Sequence, residues 1–433
     1  NINSALPLHV FAGDIASDVA MAVNIKKSIF FLIKNVGGYS INILGILCIL
    51  WIEVSQMRIV DLFSGAGGLT FGFYYNKENN TFVRNKNCNI IFANEYDRAA
   101  AESFRINFQD INMINQDIKE LTEEQVKALI GEEEVDLIIG GPPCQSYSTI
   151  GRRVYDDKAK LYNEYYRMLS IIRPRMFLFE NVKGMLSMKD EKGNLVIDNI
   201  KNMFENINEE LGYNIVYNTI DAVNYGVPQH RERVFIIGIR NDLDIEWDFN
   251  QLEVEPEQLT LEEAISDLPH IASGEDIHEY GEEQPENDYQ RLMRGTNTEL
   301  SAHFLAVYGD KIQTIMNNVI QGEGKDYINS LVDQGILEER YRLTSGYKNT
   351  YGRLYANQPC TTITNNMSTP SGLRCIHYEQ NRALTPREGA RIQSFPDWFQ
   401  FIGNKREIKT QIGNAVPPLL AMKFAEQLEE ILG

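Results

Sequence analysis

From Met57 onward, apolar runs of strand length alternate with longer amphipathic stretches, and a chain patterned this way is constrained to a doubly wound α/β fold. The pattern predicts strands over Arg58–Phe63, Ile90–Asn94, Val135–Ile139, Met176–Phe179, Ile215–Ile220 and Val234–Ile239. Between them it predicts helices over Arg98–Asn107, Glu123–Ile130, Leu161–Ile172 and Ile197–Leu211. The alternation stops after Arg240. Residues 246–378, acidic at first and then irregular and polar, read as a separate insertion. Residues 379–433 regain helical periodicity and end in an amphipathic helix that begins near Pro418, so the body of the first domain is expected over 57–245 with a returning C-terminal segment.

The chain has 433 residues, 43% of them hydrophobic, enough to bury a large core in two to three domains. Its formal charge of -19 argues against broad adhesion to nucleic acid, so any polyanion-binding surface must be local. The run holding Arg340, Arg342, Lys348 and Arg353, interleaved with tyrosines and free of acid, is the candidate phosphate-facing patch; a solvated face has the same composition. Five cysteines, odd in number and without CxxC spacing, suggest neither a disulfide framework nor a zinc site, and imply a reducing, cytoplasmic setting. Residues 1–56 read as an extension outside the catalytic fold, such as translated upstream sequence. Their apolar runs, Ile29–Ile33 and Ile41–Ile52, fall short of the ~20 residues a spanning helix needs.

Asp61-Leu-Phe-Ser-Gly65-Ala-Gly67-Gly68-Leu69 follows the first strand and precedes a helix, placing glycines where the backbone turns tightly and lets a ligand approach. Such turns also serve dinucleotides, or serve only as turns. Glu95, at the end of the second strand, can accept from ribose hydroxyls, and Tyr96 offers a ring to an adenine. Asp117, after a third short apolar run, can accept from an exocyclic amine. Each acid alone is more often a solvated turn residue; three at successive strand ends point to a nucleoside.

Gly140-Gly-Pro-Pro-Cys144-Gln145-Ser-Tyr-Ser148 ends the next strand, at the edge where such sheets place their sites. A thiolate held there on a proline-stiffened loop suits conjugate addition to a pyrimidine carbon. No histidine base stands beside it, which disfavours a cysteine hydrolase. Amino-group methylation is disfavoured because glycine precedes and cysteine follows the two prolines. His230-Arg-Glu232 meets half of a zinc-deaminase pattern, but Tyr147 replaces the second cysteine and the order is wrong, so no metal is expected. Glu180-Asn-Val182 closes the next strand, and a carboxyl group there, protonated or sharing a proton, can hold a ring nitrogen and make the adjacent carbon electrophilic. A buried, helix-capping glutamate is the bland alternative. Arg231 and Arg233, one residue apart before a strand, face the same way and can converge on a phosphate or base carbonyl and help keep Cys144 ionised.

Taken in order, these segments resemble the DNA (cytosine-5) methyltransferase family of the bacterial or phage modification type. The resemblance runs from Met57 nearly to Gly433 and includes Pro-Pro-Cys-Gln, Glu-Asn-Val, Gln-x-Arg-x-Arg, Arg382-Ala-Leu-Thr-Pro-Arg-Glu-Gly-Ala-Arg-Ile-Gln-Ser-Phe-Pro-Asp397 and Gln411-Ile-Gly-Asn-Ala-Val-Pro-Pro418. It implies an S-adenosylmethionine-dependent, Rossmann-like sheet with a smaller, irregular target-recognition domain over 246–378. Phe63, Gly65, Gly67, Gly68, Leu69, Glu95, Tyr96, Asp117, Ile118, Pro143, Asn414 and Ala415 would line the S-adenosyl-L-methionine site. Cys144 would be the nucleophile, Glu180 the ring-nitrogen partner, and Arg231 and Arg233 the supporting cations; Gln145 would sit near the vacated base position and Ser148 on the DNA backbone. Asn115-Gln-Asp117 departs from the family pattern in lacking a glycine, which leaves the local turn open. The resemblance further implies double-stranded DNA as substrate, a cognate restriction endonuclease acting separately, and a monomer without metal or membrane attachment. A transfer-RNA cytosine methyltransferase and an inactive DNA-binding relative remain as alternatives; the long recognition region favours DNA, and the intact Cys144, Glu180 and Arg233 favour an enzyme.

Overall fold

Alternate residues of a strand point to opposite faces, so a strand apolar at every position must be covered on both sides. Residues 56–143, 161–207 and 212–433 are described by a computed structural model, in which the central strands follow that rule. In Met57–Leu62 (β1), Ile59 enters one core while Val60 and Leu62 enter the other. Two later strands, Leu137–Gly140 and Met176–Val182, repeat it: Leu137, Ile139, Met176 and Leu178 face the first core, Ile138, Phe177 and Phe179 the second.

All six expected strands form. Helix Gly68–Tyr74 (α1) follows β1, and then comes a hairpin that the pattern did not announce, Tyr75–Glu78 (β2) with Thr81–Arg84 (β3). Cys88–Asn94 (β4), helix Arg98–Asn107 (α2), Asn112–Ile114 (β5), helix Glu123–Ile130 (α3), Leu137–Gly140 (β6), helix Tyr162–Ile172 (α4) and Met176–Val182 (β7) continue the alternation. Helix Val196–Glu205 (α5) stops six residues short of the expected Leu211, and 208–211 lie outside the described residues. Tyr213–Asp221 (β8) and Glu232–Arg240 (β9) complete one seven-stranded sheet of order β5-β4-β1-β6-β7-β9-β8. Every pairing is parallel except the two made by β9. Helices α3, α4 and α5 cover the second face through Val126, Tyr165 and Ile200; α1, α2 and the C-terminal helix Pro418–Leu432 cover the first through Phe71, Phe104 and Leu420. Strand order runs one way from β1 to β4 and the other way from β1 to β6. The carboxyl edge beside β1 is therefore the crevice where such sheets hold ligands.

After Arg240 the chain contributes to two cores. Trp247, Leu261, Tyr289 and Phe304 join the first core of the sheet. A separate small core gathers Ile315, Met316, Val319, Ile328, Leu331, Leu343 and Ile376, flanked by Tyr308 and Tyr351, while Leu354, Cys360, Ile363 and Met367 return to the first core. Buried charge ties the earlier part to the C-terminal segment: the fully buried guanidinium of Arg391 meets Asp267 at 2.6 Å and also binds Asp397. No helix among the described residues is long and apolar enough to cross a membrane.

Candidate active site

The turn after β1 is built for close approach. Phe63 sits at φ 58°, Gly65 at 57° and Gly67 at 97°, left-handed conformations that only glycine adopts without cost, so Phe63 is held there by its surroundings. Gly68 opens α1 where the C-terminal segment crosses: a Cβ there would lie 2.4 Å from the Val416 carbonyl oxygen and 3.1 Å from Ala415 Cβ. Ala415 thus lies against the turn, with Asn414 exposed beside it; Leu69 is buried behind. The Glu95 carboxylate joins β4 to the turn, accepting from Gly65 N at 2.8 Å through Oε2 and from Asp97 N at 2.7 Å through Oε1. Burial raises its pKa, against the lowering effect of those backbone donors. Tyr96 beside it is 75% exposed, an uncovered ring. Asp117 accepts from Lys119 N at 3.0 Å and caps a short turn whose Ile118 is buried, so one of its oxygens is engaged locally.

The missing glycine before Asp117 is compensated by amides. Asn115 Nδ2 donates to the carbonyls of Glu95 (2.9 Å) and Tyr96 (3.1 Å), and Asn94 Nδ2 to those of Ile114 (3.0 Å) and Gln116 (2.9 Å). Sequence reasoning passed over both asparagines; the signal was a short amide at each strand end, where backbone groups lose their ladder partners.

On the other side of β1, Glu180 near the end of β7 points at the loop that follows β6. A Cβ on Gly141 would come within 2.7 Å of Glu180 Oε2, so the carboxylate occupies the space that glycine leaves. Asn181 Nδ2 donates to the Pro142 carbonyl at 3.2 Å and pins the proline loop to the same strand, with Pro143 exposed beyond it. Cys144, Gln145 and Ser148 come next in the chain and lie outside the described residues. Arg233 on β9 places Nε 3.1 Å from Glu180 Oε1. Burial raises the Glu180 pKa while Arg233 and Arg231 pull it down, and the net shift is upward. The carboxyl therefore keeps a proton more readily than a solvated glutamate.

The two arginines of the Gln-x-Arg-x-Arg motif have different surroundings, although both lower the Glu180 pKa. Arg231 precedes β9 and is fully buried; its Nη1 donates to the Ile363 carbonyl (2.9 Å), and its Nη2 to those of Gly413 (3.0 Å) and Ala415 (2.8 Å). Gln229 acts alongside: Nε2 donates to Ile392 O and Gln393 Oε1, and Oε1 accepts from Ile363 N. Strand alternation requires regular strand geometry at both positions, and Arg231 lies before the strand begins. Arg231 is a clamp drawing two distant segments onto the sheet, and Arg233 lines the cleft beside Glu180.

Most cations of the basic run are engaged within the protein. Arg353 is 5% exposed, and its guanidinium donates to the carbonyls of Val319, Met316, His377 and Gln380 and to Asn381 Oδ1, leaving no donor for phosphate. Arg342 pairs with Asp333 (2.8 Å) and Glu339 (2.5 Å), and Arg340 with Glu338 (3.0 Å), acids that stand just before the run in sequence. Lys348 remains at the surface and lines a cleft of about 370 Å³ with Tyr347 and Asn349. A larger cleft of about 840 Å³ opens beside Arg233; Lys183 and His230 line it on the sheet side, and Asn349, Thr362 and Arg374 on the other.

Of the five cysteines, Cys88, Cys360 and Cys375 are buried and free, and burial pushes the thiols of Cys360 and Cys375 to about 12 and that of Cys88 higher. None of these three is poised as a thiolate.

Comparison with known proteins identifies the family. The family model for C-5 cytosine-specific DNA methylase matches residues 57–430. The Type II methyltransferase M.DdeI of Desulfomicrobium norvegicum is 34% identical over 387 residues, an alignment covering 86% of this chain and 88% of that protein. M.AgeI of Thalassovita gelatinovora is 31% identical, with 86% and 99% covered. Among solved structures, one described as a DNA modification methyltransferase encoded within an E. coli prophage aligns with a TM-score of 0.67 and 25% identity, covering 87% of this chain and 99% of its own. The Dnmt2 methyltransferase of S. pombe, at 16% identity and a TM-score of 0.54, shares the fold.

Proposed function

Because the chain belongs to the C-5 cytosine-specific DNA methylase family, we propose that it methylates carbon 5 of a flipped-out cytosine within a specific duplex DNA sequence, using S-adenosyl-L-methionine and a covalent Cys144 adduct. The single observation that carries this reading is the Glu180 carboxyl group, proton-retaining and set against Gly141 in the loop that leads directly into Cys144.

The residues at the β1 edge fit the cofactor. Glu95 keeps lone pairs for ribose hydroxyls after its two backbone bonds, Tyr96 presents a free ring, and Phe63, Gly65, Gly67, Gly68, Leu69, Asp117, Ile118, Pro143, Asn414 and Ala415 complete the lining. When bound, S-adenosylmethionine supplies an electrophilic sulfonium methyl group. Cys144 adds through sulfur to carbon 6 of the base while Glu180 gives its proton to the ring nitrogen, so the ring electrons collect at carbon 5. Arg233 steadies Glu180 and the base carbonyl. After carbon 5 has been methylated and a base has taken its proton, the sulfur leaves, the ring double bond returns and the ring nitrogen gives its proton back to Glu180. Flipping the cytosine out costs a few kcal/mol, and the reacting atoms must be held within ~3 to 3.5 Å.

The recognition domain is proposed within 246–378, with a small core of its own around Ile315, Ile328 and Ile376, and with Gln145, Ser148 and Lys348 contacting DNA. The Type II names of the relatives support a separately acting cognate endonuclease, and we take the enzyme as a cytoplasmic monomer. Incubation of the purified chain with methyl-labelled cofactor and duplex DNA tests the reading: label should appear in 5-methylcytosine. Label on an exocyclic nitrogen, or in transfer RNA in place of duplex DNA, would overturn it.

A further inference from the structure

The larger cleft is lined by four cationic or potentially cationic side chains, and three are matched to carboxylates: Lys183 to Glu232 (2.7 Å), His230 to Asp221 (2.9 Å) and Arg233 to Glu180 (3.1 Å). The fourth is Arg374, for which no carboxylate lies within ion-pair distance among the described residues. It stands on the short strand Arg374–Ile376, opposite the sheet wall, and lines both the larger cleft and the smaller one beside Lys348 and Asn349. Its stem crosses Gly352, where an added Cβ would meet Arg374 Cγ at 2.8 Å. Nη1 donates to the Arg353 carbonyl at 3.1 Å. One donor of five is thus fixed on backbone, which orients the planar fork, and the others remain for a ligand.

We propose that Arg374 binds a backbone phosphate of the DNA next to the flipped nucleotide. The proposal rests on the reading of the chain as a DNA methyltransferase. In a protein of net charge -19, a polyanion entering this cleft meets Lys183, His230 and Arg233 already matched to carboxylates, and among the described residues that line it Arg374 is the cation left to receive it. A half-buried side chain on a strand, anchored to the main chain at the junction of two clefts, suits a strand of phosphates running past the mouth. Base edges lie deep in a groove and are reached by protruding side chains.

Arg374→Gln and Arg374→Lys, compared with the unaltered protein, test it by binding to a duplex carrying the recognition sequence over a range of salt concentrations, with methylation mapped across cytosine contexts. Arg374→Gln should weaken binding roughly tenfold to a hundredfold, reduce the slope of log K against log salt by about 0.9, and leave the set of methylated sites and cofactor binding without DNA unchanged. Arg374→Lys should retain the slope. An unchanged slope in Arg374→Gln with an altered set of sites would make Arg374 a base reader and overturn the proposal. Equal losses in both variants, or loss of cofactor binding, would mark a structural role and overturn it too. If the unaltered protein fails to methylate duplex DNA, the proposed function fails first; if it succeeds and the slopes agree, only this inference does.

Discussion

Arg233 Nε lies 3.1 Å from Glu180 Oε1 across the antiparallel β7–β9 pair, and the opposed effects of burial and this cation set how firmly the carboxyl holds its proton. In the proposed mechanism Glu180 acts in its neutral form, and its pKa is raised, so activity should be supported at lower pH and fall as pH rises through the folded pKa. In Arg233→Gln the raising effect of burial is opposed less, so the alkaline limb of kcat should move to higher pH while kcat itself drops. Glu180→Gln should lose that limb and roughly 10²- to 10⁴-fold in kcat. A limb that persists in Glu180→Gln belongs to another group.

Cys144→Ser should abolish methyl transfer and leave cofactor binding near that of the unaltered protein, because the proposed cofactor residues other than Pro143 stand on other strand ends. Calorimetric titration with the cofactor checks this. Loss of cofactor binding would contradict the division of roles between the two halves of the edge.

Gly68→Ala should destabilise the fold by roughly 1–3 kcal/mol and weaken cofactor binding, because the added carbon would sit 2.4 Å from a backbone oxygen of the C-terminal segment. A backbone atom cannot swing aside as a side chain can. Denaturant melts and cofactor titration of the same sample should move together; an unaffected Kd would mean that Ala415 and Asn414 do not contribute to that site.

Arg231→Ala should cost about 1–3 kcal/mol for each buried acceptor it leaves unsatisfied, since it removes the common donor to the Ile363, Gly413 and Ala415 carbonyls. The expected signature is a lower melting temperature. A stable variant with lost activity would return Arg231 to the chemistry.

Asp61 on β1 is fully buried, bonded to Thr70 Oγ1, and its pKa is raised from 3.8 to about 8, chiefly by burial. The folded protein holds this proton where the unfolded chain has released it. Its stabilising contribution is complete below about pH 3.8 and is lost as pH rises to about 8, at most about 1.4 kcal/mol per pH unit. Asp61→Asn should therefore gain stability relative to the unaltered protein as pH rises through that window. Urea melts near pH 5 and near pH 7.5 check it; a constant difference would mean that the carboxyl is ionised in the fold.

What was legible in advance was what depends on local periodicity and on short motifs. The six strands and the turn through Gly65, Gly67 and Gly68 follow from side-chain alternation and backbone freedom, and Glu95 and Glu180 both lie at the expected edge. The β2–β3 hairpin was not legible, since Tyr75–Glu78 and Thr81–Arg84 mix polar and apolar residues without a clear period. The start of the small core was also hidden: Trp247, Leu261 and Phe304 look like the insertion in sequence yet pack on the sheet.

The sequence by itself determined the fold class, the order of the strand ends and the residue types available at each, because these depend on neighbours a few positions apart. Tertiary structure decided which charges are available. Arg231 and Arg353 read as functional cations until distant carbonyls surround them, and Arg374 is unremarkable until the acids that neutralise its companions are placed in space. Arg231 finds its partners at Ile363 and Gly413, more than a hundred residues away, and no local pattern encodes them.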